Sequence, residues 1–130
     1  MRYRELDAAL DQLAHKVIGA AIEAHRILGP GFLEVVYEEA LCMELEARHI
    51  AYDRQFVIGV NYKGRLIGEG RLDILIAKQL IVELKAVEAL LPIHNAQLLS
   101  YLKTTGYPLG LLINFNVPIL KQGIKRVVLS

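Results

Sequence analysis

Hydrophobic positions along this chain change period from segment to segment, and each change predicts an element boundary. Over residues 7–28, Leu10, Leu13, Ala14, Val17, Ile18, Ala21, Ile22 and Leu28 recur at spacings of three and four, the stripe of a helix with one buried face. Gly29-Pro30-Gly31 breaks that helix, because glycine relaxes the backbone and proline removes a donor. A second helix is expected from Phe32 through Val36, Tyr37, Leu41 and Leu45, ending near Arg48. After Tyr52 the period shortens to two: Phe56, Ile58, Val60 and Tyr62 alternate with polar or small residues, as in a strand with one buried face. Lys63-Gly64 makes the turn, and residues 66–76 read as the returning strand, with a bulge or close backbone approach expected near Gly68 and Gly70. Ala77-Lys78-Gln79 turns again into residues 80–86, a central strand that completes an antiparallel three-strand meander.

Pro92 fits the first turn of a third helix over residues 93–105, ended by Gly106. The apolar run 109–115 then reads as a buried strand after a crossover helix, and residues 124–129 as a last, edge strand. The predicted class is α/β: two helices, a three-strand meander, a crossover helix and two further strands in a mixed sheet. With no repeat or linker, residues 1–130 are expected to form a single domain.

Composition narrows the classes. A chain of 130 residues with 54% hydrophobic content can bury about two-thirds of its unfolded surface without a disulfide or structural metal. The single cysteine, Cys42, excludes an internal disulfide and a Cys-rich zinc or iron-sulfur site built from this chain alone. Fifteen Lys and Arg against 14 Asp and Glu leave a net charge of +1, so charge alone gives no argument for a nucleic-acid partner. Glu5, Asp7 and Asp11 stand where a signal peptide needs an apolar run, and the apolar stretches fall short of the ~20 residues that span a bilayer. The expectation is a cytoplasmic protein with no membrane partner. The glycines do not form a phosphate-cradling loop between strand and helix, which argues against a kinase or a dinucleotide-binding enzyme.

Charges inside strands are the anomaly. Asp73 lies within Leu72-Asp73-Ile74-Leu75-Ile76, and Glu83 and Lys85 lie within Ile81-Val82-Glu83-Leu84-Lys85. Burying an unpaired carboxylate is costly. Residues 83 and 85 share a strand face, and a hairpin can bring Asp73 beside them. Two carboxylates beside an ammonium form an oxygen-rich site suited to Mg2+ or Mn2+; a satisfied ion-pair network on a solvated sheet face is the other reading of the same spacing.

Asp73, nine intervening residues and Glu83-Leu84-Lys85 resemble the bipartite signature of the PD-(D/E)XK nuclease superfamily, with Leu72 in place of its proline. Gly31-Phe32-Leu33-Glu34-Val35-Val36-Tyr37 resembles the name-giving motif of the GxxExxY proteins, and that resemblance extends over nearly the whole chain. Gln97-Leu98-Leu99-Ser100-Tyr101 is similar to the Gln-x-x-x-Tyr helix motif of RecB-like exonucleases. The resemblance implies a restriction-endonuclease-like core and a nuclease that hydrolyses phosphodiester bonds in DNA or RNA. It assigns Glu34, Asp73 and Glu83, helped by the carbonyl of residue 84, to Mg2+ or Mn2+, Lys85 to orienting the water, and Gln97 and Tyr101 to flanking the active site.

Independent of that resemblance, Gln97 and Tyr101 share a helix face at a spacing of four; they can bind a phosphate, or cap a carboxylate and pack, respectively. Glu34 at a helix start is equally suited to interaction with the helix dipole. His94 and Asn95 precede Gln97, His94 being read as a helix-start or surface residue. His15, His25 and His49 show no ligand spacing, and Cys42 reads as core filler. Lys63, Arg65, Arg71 and Lys78 flank the meander, with Lys103, Lys121, Lys125 and Arg126 later; they form either a phosphate-contacting rim or edge-strand protection. Three functions remain in play: a metal-dependent nuclease, a catalytically weak nucleic-acid-binding or accessory module on the same fold, and a purely structural protein. A homo-oligomer or protein partner would supply recognition surface that so short a chain lacks.

Overall fold

The computed structural model describes residues 7–129. Asp7 caps the first helix, α1 (Ala8–Leu28), its Oδ1 accepting the Leu10 amide at 2.8 Å. The helix ends at Gly29, whose φ of 71° glycine adopts without strain. The second helix, α2 (Glu34–Ala47), starts later than the apolar spacing predicts. Leu33, extended at ψ 154°, is its N-cap and keeps Phe32 outside, where the Phe32 backbone N–H donates to the Tyr37 hydroxyl at 3.1 Å.

Strands β1 (Tyr52–Tyr62) and β2 (Arg65–Ile76) form a long hairpin, followed by β3 (Leu80–Lys85), α3 (Pro92–Thr105), β4 (Leu109–Asn114), a 3-10 turn (Leu120–Gly123) and β5 (Ile124–Val128). The five strands lie in chain order in one sheet. β1, β2 and β3 pair antiparallel, β4 runs parallel to β3 after the α3 crossover, and β5 pairs antiparallel with β4 at the edge. The mixed sheet, the meander, the two leading helices and the crossover helix are therefore as the sequence predicts. β1 begins earlier than its alternation shows, because φ is 50° at Gln55 and the regular pattern fails there. The register shifts between Val60↔Gly68 and Asn61↔Leu66, which leaves Ile67 of β2 as the extra residue beside Gly68, where the sequence places a bulge. Gly70 serves the close approach, since a Cβ there would meet Tyr101 Cε1 at 2.9 Å.

Two cores sandwich the sheet. On one face α1 and α2 bury Leu10, Val17, Tyr37 and Leu41 against Ile74, Val82, Leu111 and Ile113. On the other, Leu98 and Leu102 of α3 pack with Leu75, Ile81 and Leu112. β3 and β4 are covered on both faces, which is why their sequences read as continuous apolar runs.

β2 changes face at Asp73. Ile74 and Ile76 belong to the first core, whereas Leu75 and, out of parity, Leu72 belong to the second. The β2–β3 ladder stops at the same place: its pairs run from Ile76↔Leu80 to Ile74↔Val82. Beyond that point β1 and β2 continue as a two-stranded arm whose residues 61–69 are exposed. Among the described residues no helix is long and apolar enough to cross a membrane.

Candidate functional site

Where the β2–β3 ladder ends, side chains replace backbone as hydrogen-bond partners. The Asp73 N–H donates to Glu83 Oε2 at 2.8 Å, and the Leu84 N–H donates to Asp73 Oδ2 at 2.8 Å. The two strands are thus held together through the two carboxylates, each of which commits one oxygen to a backbone amide. Lys85 follows on β3, half-buried, and its carbonyl accepts the Phe115 N–H at 2.9 Å.

Burial sets the electrostatics. Glu83 is 4% exposed, and desolvation, reinforced by the neighbouring Asp73 charge, pushes its carboxyl up to about 8. Asp73 is raised too, first by burial, with the Leu84 amide and Lys85 opposing and Glu38 adding to the rise. Two carboxylates in one desolvated place resist simultaneous ionisation, and a cation there would relieve both.

Glu34 opens α2, exposed, and its carboxyl is raised by partial desolvation and by the Asp73 charge while Lys85 lowers it. It shares the field of the acid pair. Yet Glu34, Asp73 and Glu83 do not gather into a three-ligand cluster: among the described residues no group of three or more His, Cys, Asp or Glu side chains could hold a metal ion. The donor set in place is two carboxylates of hard oxygen character. That set suits Mg2+, which keeps several waters and takes one or two carboxylates plus substrate phosphate, and it falls short of an all-protein cage.

On α3, Tyr101 comes to the site. Its ring lies over Gly70, and desolvation followed by the Glu83 charge raises its hydroxyl, with the Arg71 backbone amide opposing. Gln97, one turn earlier, is exposed. His94 accepts the Leu91 N–H through Nδ1 at 3.0 Å and so serves the start of α3. Burial pushes the Cys42 thiol up to about 11, as expected of a core filler. His15 pairs with Asp11 on the surface, and buried His25 meets the Val117 carbonyl through Nε2 at 2.8 Å.

The Gly-x-x-Glu-x-x-Tyr segment has a structural logic. Gly31 takes φ of 105°. Tyr37, fully buried, donates its hydroxyl to the Gly29 carbonyl at 2.6 Å and stacks on Phe115 with centroids 4.5 Å apart. The tyrosine fastens the α1–α2 loop, and that loop fixes where Glu34 begins its helix.

Four side chains that the sequence analysis does not single out for the site support it: Glu38, Arg54, Gln55 and Asn114. Buried Glu38, one turn after Glu34, takes Arg54 Nε and Nη2 on Oε2 at 3.1 and 2.8 Å, and Gln55 Nε2 on Oε1 at 2.8 Å. Asn114, paired with Lys85 across the parallel ladder, clamps both backbone groups of Val87, at 3.0 and 2.9 Å, and fixes the chain leaving β3. Only Glu38 carried a sequence signal, its spacing of four from Glu34. Of the basic rim, Lys78 and Arg126 are engaged with Asp53 and Asp11.

The family model of the PD-(D/E)XK nuclease superfamily matches residues 11–127. The chain belongs to that superfamily. No curated protein matches it by sequence. Among solved structures, the crystal structure of SSO0001 is similar at 22% identity and a TM-score of 0.49, covering 73% of this chain; the chain spans 50% of that protein's length.

Proposed function

We propose that this chain is a nucleic-acid-binding module that keeps the nuclease fold, with a low intrinsic capacity for catalysis. The observation that carries this reading is the incomplete donor set: Asp73 and Glu83 each commit one oxygen to a backbone amide, and among the described residues no third His, Cys, Asp or Glu joins them. The β1–β2 arm supports the choice of partner. It presents an exposed Tyr62 with Lys63 Nζ 5.4 Å from its ring centroid, together with Arg65 and Arg71, and an aromatic face among cations suits bases and phosphates. Within the superfamily, the motif at Gly31, Glu34 and Tyr37 supports placement with the GxxExxY proteins.

Metal-dependent phosphodiester hydrolysis is the second reading, favoured by the raised carboxyls of Asp73 and Glu83 beside Lys85. Asp73 and Glu83, with the Leu84 carbonyl and Glu34, would hold Mg2+ or Mn2+. A divalent ion bound there supplies Lewis-acid polarisation of phosphate and a more acidic water. Lys85 would orient that water and offset charge on the phosphate, and Gln97 and Tyr101 would position the phosphate.

Fluorescence anisotropy with single-stranded and duplex DNA and RNA, without metal and across salt, tests the first reading. Wild type should bind, and the triple variant Lys63→Ala/Arg65→Ala/Arg71→Ala should reduce the slope of log K against log salt by about 2 to 3. No binding by folded wild type overturns it. Cleavage that requires Mn2+ and disappears in Asp73→Ala and Lys85→Ala transfers the function to the hydrolase.

A further inference from the structure

Gln55 carries φ of 50° within β1, in the left-handed region that an L side chain adopts only at a cost. It lies opposite Asp73, between the register pairs Arg54↔Ile74 and Phe56↔Leu72. Its Nε2 donates to Oε1 of buried Glu38, whose other oxygen is gripped by the Arg54 guanidinium. Gln55 thereby stands next to Asp73 across the hairpin, and its amide favours the charged form of that carboxyl. Asp73 in turn accepts the Leu84 N–H. Two hydrogen-bonded groups, Arg54–Glu38–Gln55 and Asp73–Leu84, therefore meet where Gln55 faces Asp73 across the hairpin.

A glycine at position 55 would take the same backbone conformation without cost, but it would have no amide. The strain thus has a counterpart: it holds a carboxamide on Glu38 at the position that faces the acid of the neighbouring strand. We propose that Gln55 is a positioning residue for Asp73, its amide held by the Glu38–Arg54 pair so that the carboxylate keeps the orientation that bridges to Leu84. The inference rests on Asp73 being the acid around which the site is organised.

The Leu84 amide reports Asp73 directly, so hydrogen exchange by NMR on metal-free protein tests the proposal. Gln55→Gly should fold, because the backbone cost it removes offsets part of the lost hydrogen bond to Glu38. Exchange at Leu84 should nonetheless accelerate by about five-fold or more relative to Val82. Gln55→Ala, which keeps a Cβ and also lacks the amide, should show the same selective loss. Unchanged Leu84 exchange in folded Gln55→Gly overturns the proposal, and so does uniform acceleration across β2 and β3, which would mark a backbone role only. Mn2+ calorimetry on the same proteins separates this from the metal reading. Weaker binding by Gln55→Gly supports positioning, whereas wild type that binds no Mn2+ overturns the metal reading alone, since Leu84 is read without metal.

Discussion

Glu83 has the most perturbed environment in the acid pair, and its protonation ties stability to pH. Its carboxyl sits at about 8 in the folded protein against an ordinary 4.5. Between those values the native state holds a proton that the unfolded chain has released, so stability is greatest below the unfolded value and falls as pH rises through the window. Raised Asp73 adds a change of the same sign. Melting temperature should therefore drop between pH 5 and pH 8, by up to a few kcal/mol of stability. Glu83→Gln keeps an acceptor for the Asp73 amide and removes the charge, and it should flatten that slope. Thermal denaturation across pH checks this, and an equally steep slope in the variant would assign the effect elsewhere. At this scale the sequence shows Asp73, Glu83 and Lys85, because a charge in an apolar run is conspicuous. It hides Gln55, Asn114 and the Arg54–Glu38 pair, whose significance lies in which distant backbone or carboxylate they touch.

The helix–loop–helix element at the chain's start depends on one hydroxyl. Tyr37 donates to Gly29 and accepts from Phe32, bridging both sides of the loop. Tyr37→Phe keeps the ring stacked on Phe115 and leaves those two backbone groups without their partner, a loss of about 1 to 3 kcal/mol. Chemical denaturation should show that cost, together with faster exchange at the Phe32 amide; a neutral variant would mean that water replaces the hydroxyl. α2 starts at Glu34 although apolar spacing extends back to Phe32, because Leu33 is extended and serves as the N-cap. Periodicity marks which residues share a face, whereas the helix boundary falls where the backbone enters helical angles. The irregularities of β2 were legible from its glycines: the extra residue, Ile67, sits beside Gly68, and Gly70 is where Tyr101 approaches.

For the whole molecule, the division between the doubly covered sheet and the projecting arm sets local stability. Ile81 and Val82 are buried between two helical layers, while residues 61–69 are exposed. Amides of the arm should exchange on the order of a thousand-fold faster than those of β3 and β4, because opening the arm exposes little apolar surface. Hydrogen exchange by mass spectrometry checks this, and comparable protection would mean that the arm is covered by a partner or a second copy. A mobile arm rooted at Asp73 would bring any nucleic acid it holds to the acid pair.

The sequence by itself determined the order of elements, the two-sided burial of β3 and β4, the antiparallel meander and the three charged residues in the strands, because each follows from local period and from the cost of burying charge. It also carried the family signature. Tertiary structure alone decided that β2 turns over at Asp73, that Asp73 and Glu83 are bridged through backbone amides with Glu34 outside any three-ligand cluster, and that Gln55 faces Asp73. Those outcomes depend on where two strands cease to pair and on contacts between elements far apart in the chain. Such contacts are set by the packing of whole layers against one another, and a period of two or of three to four residues holds no information about them.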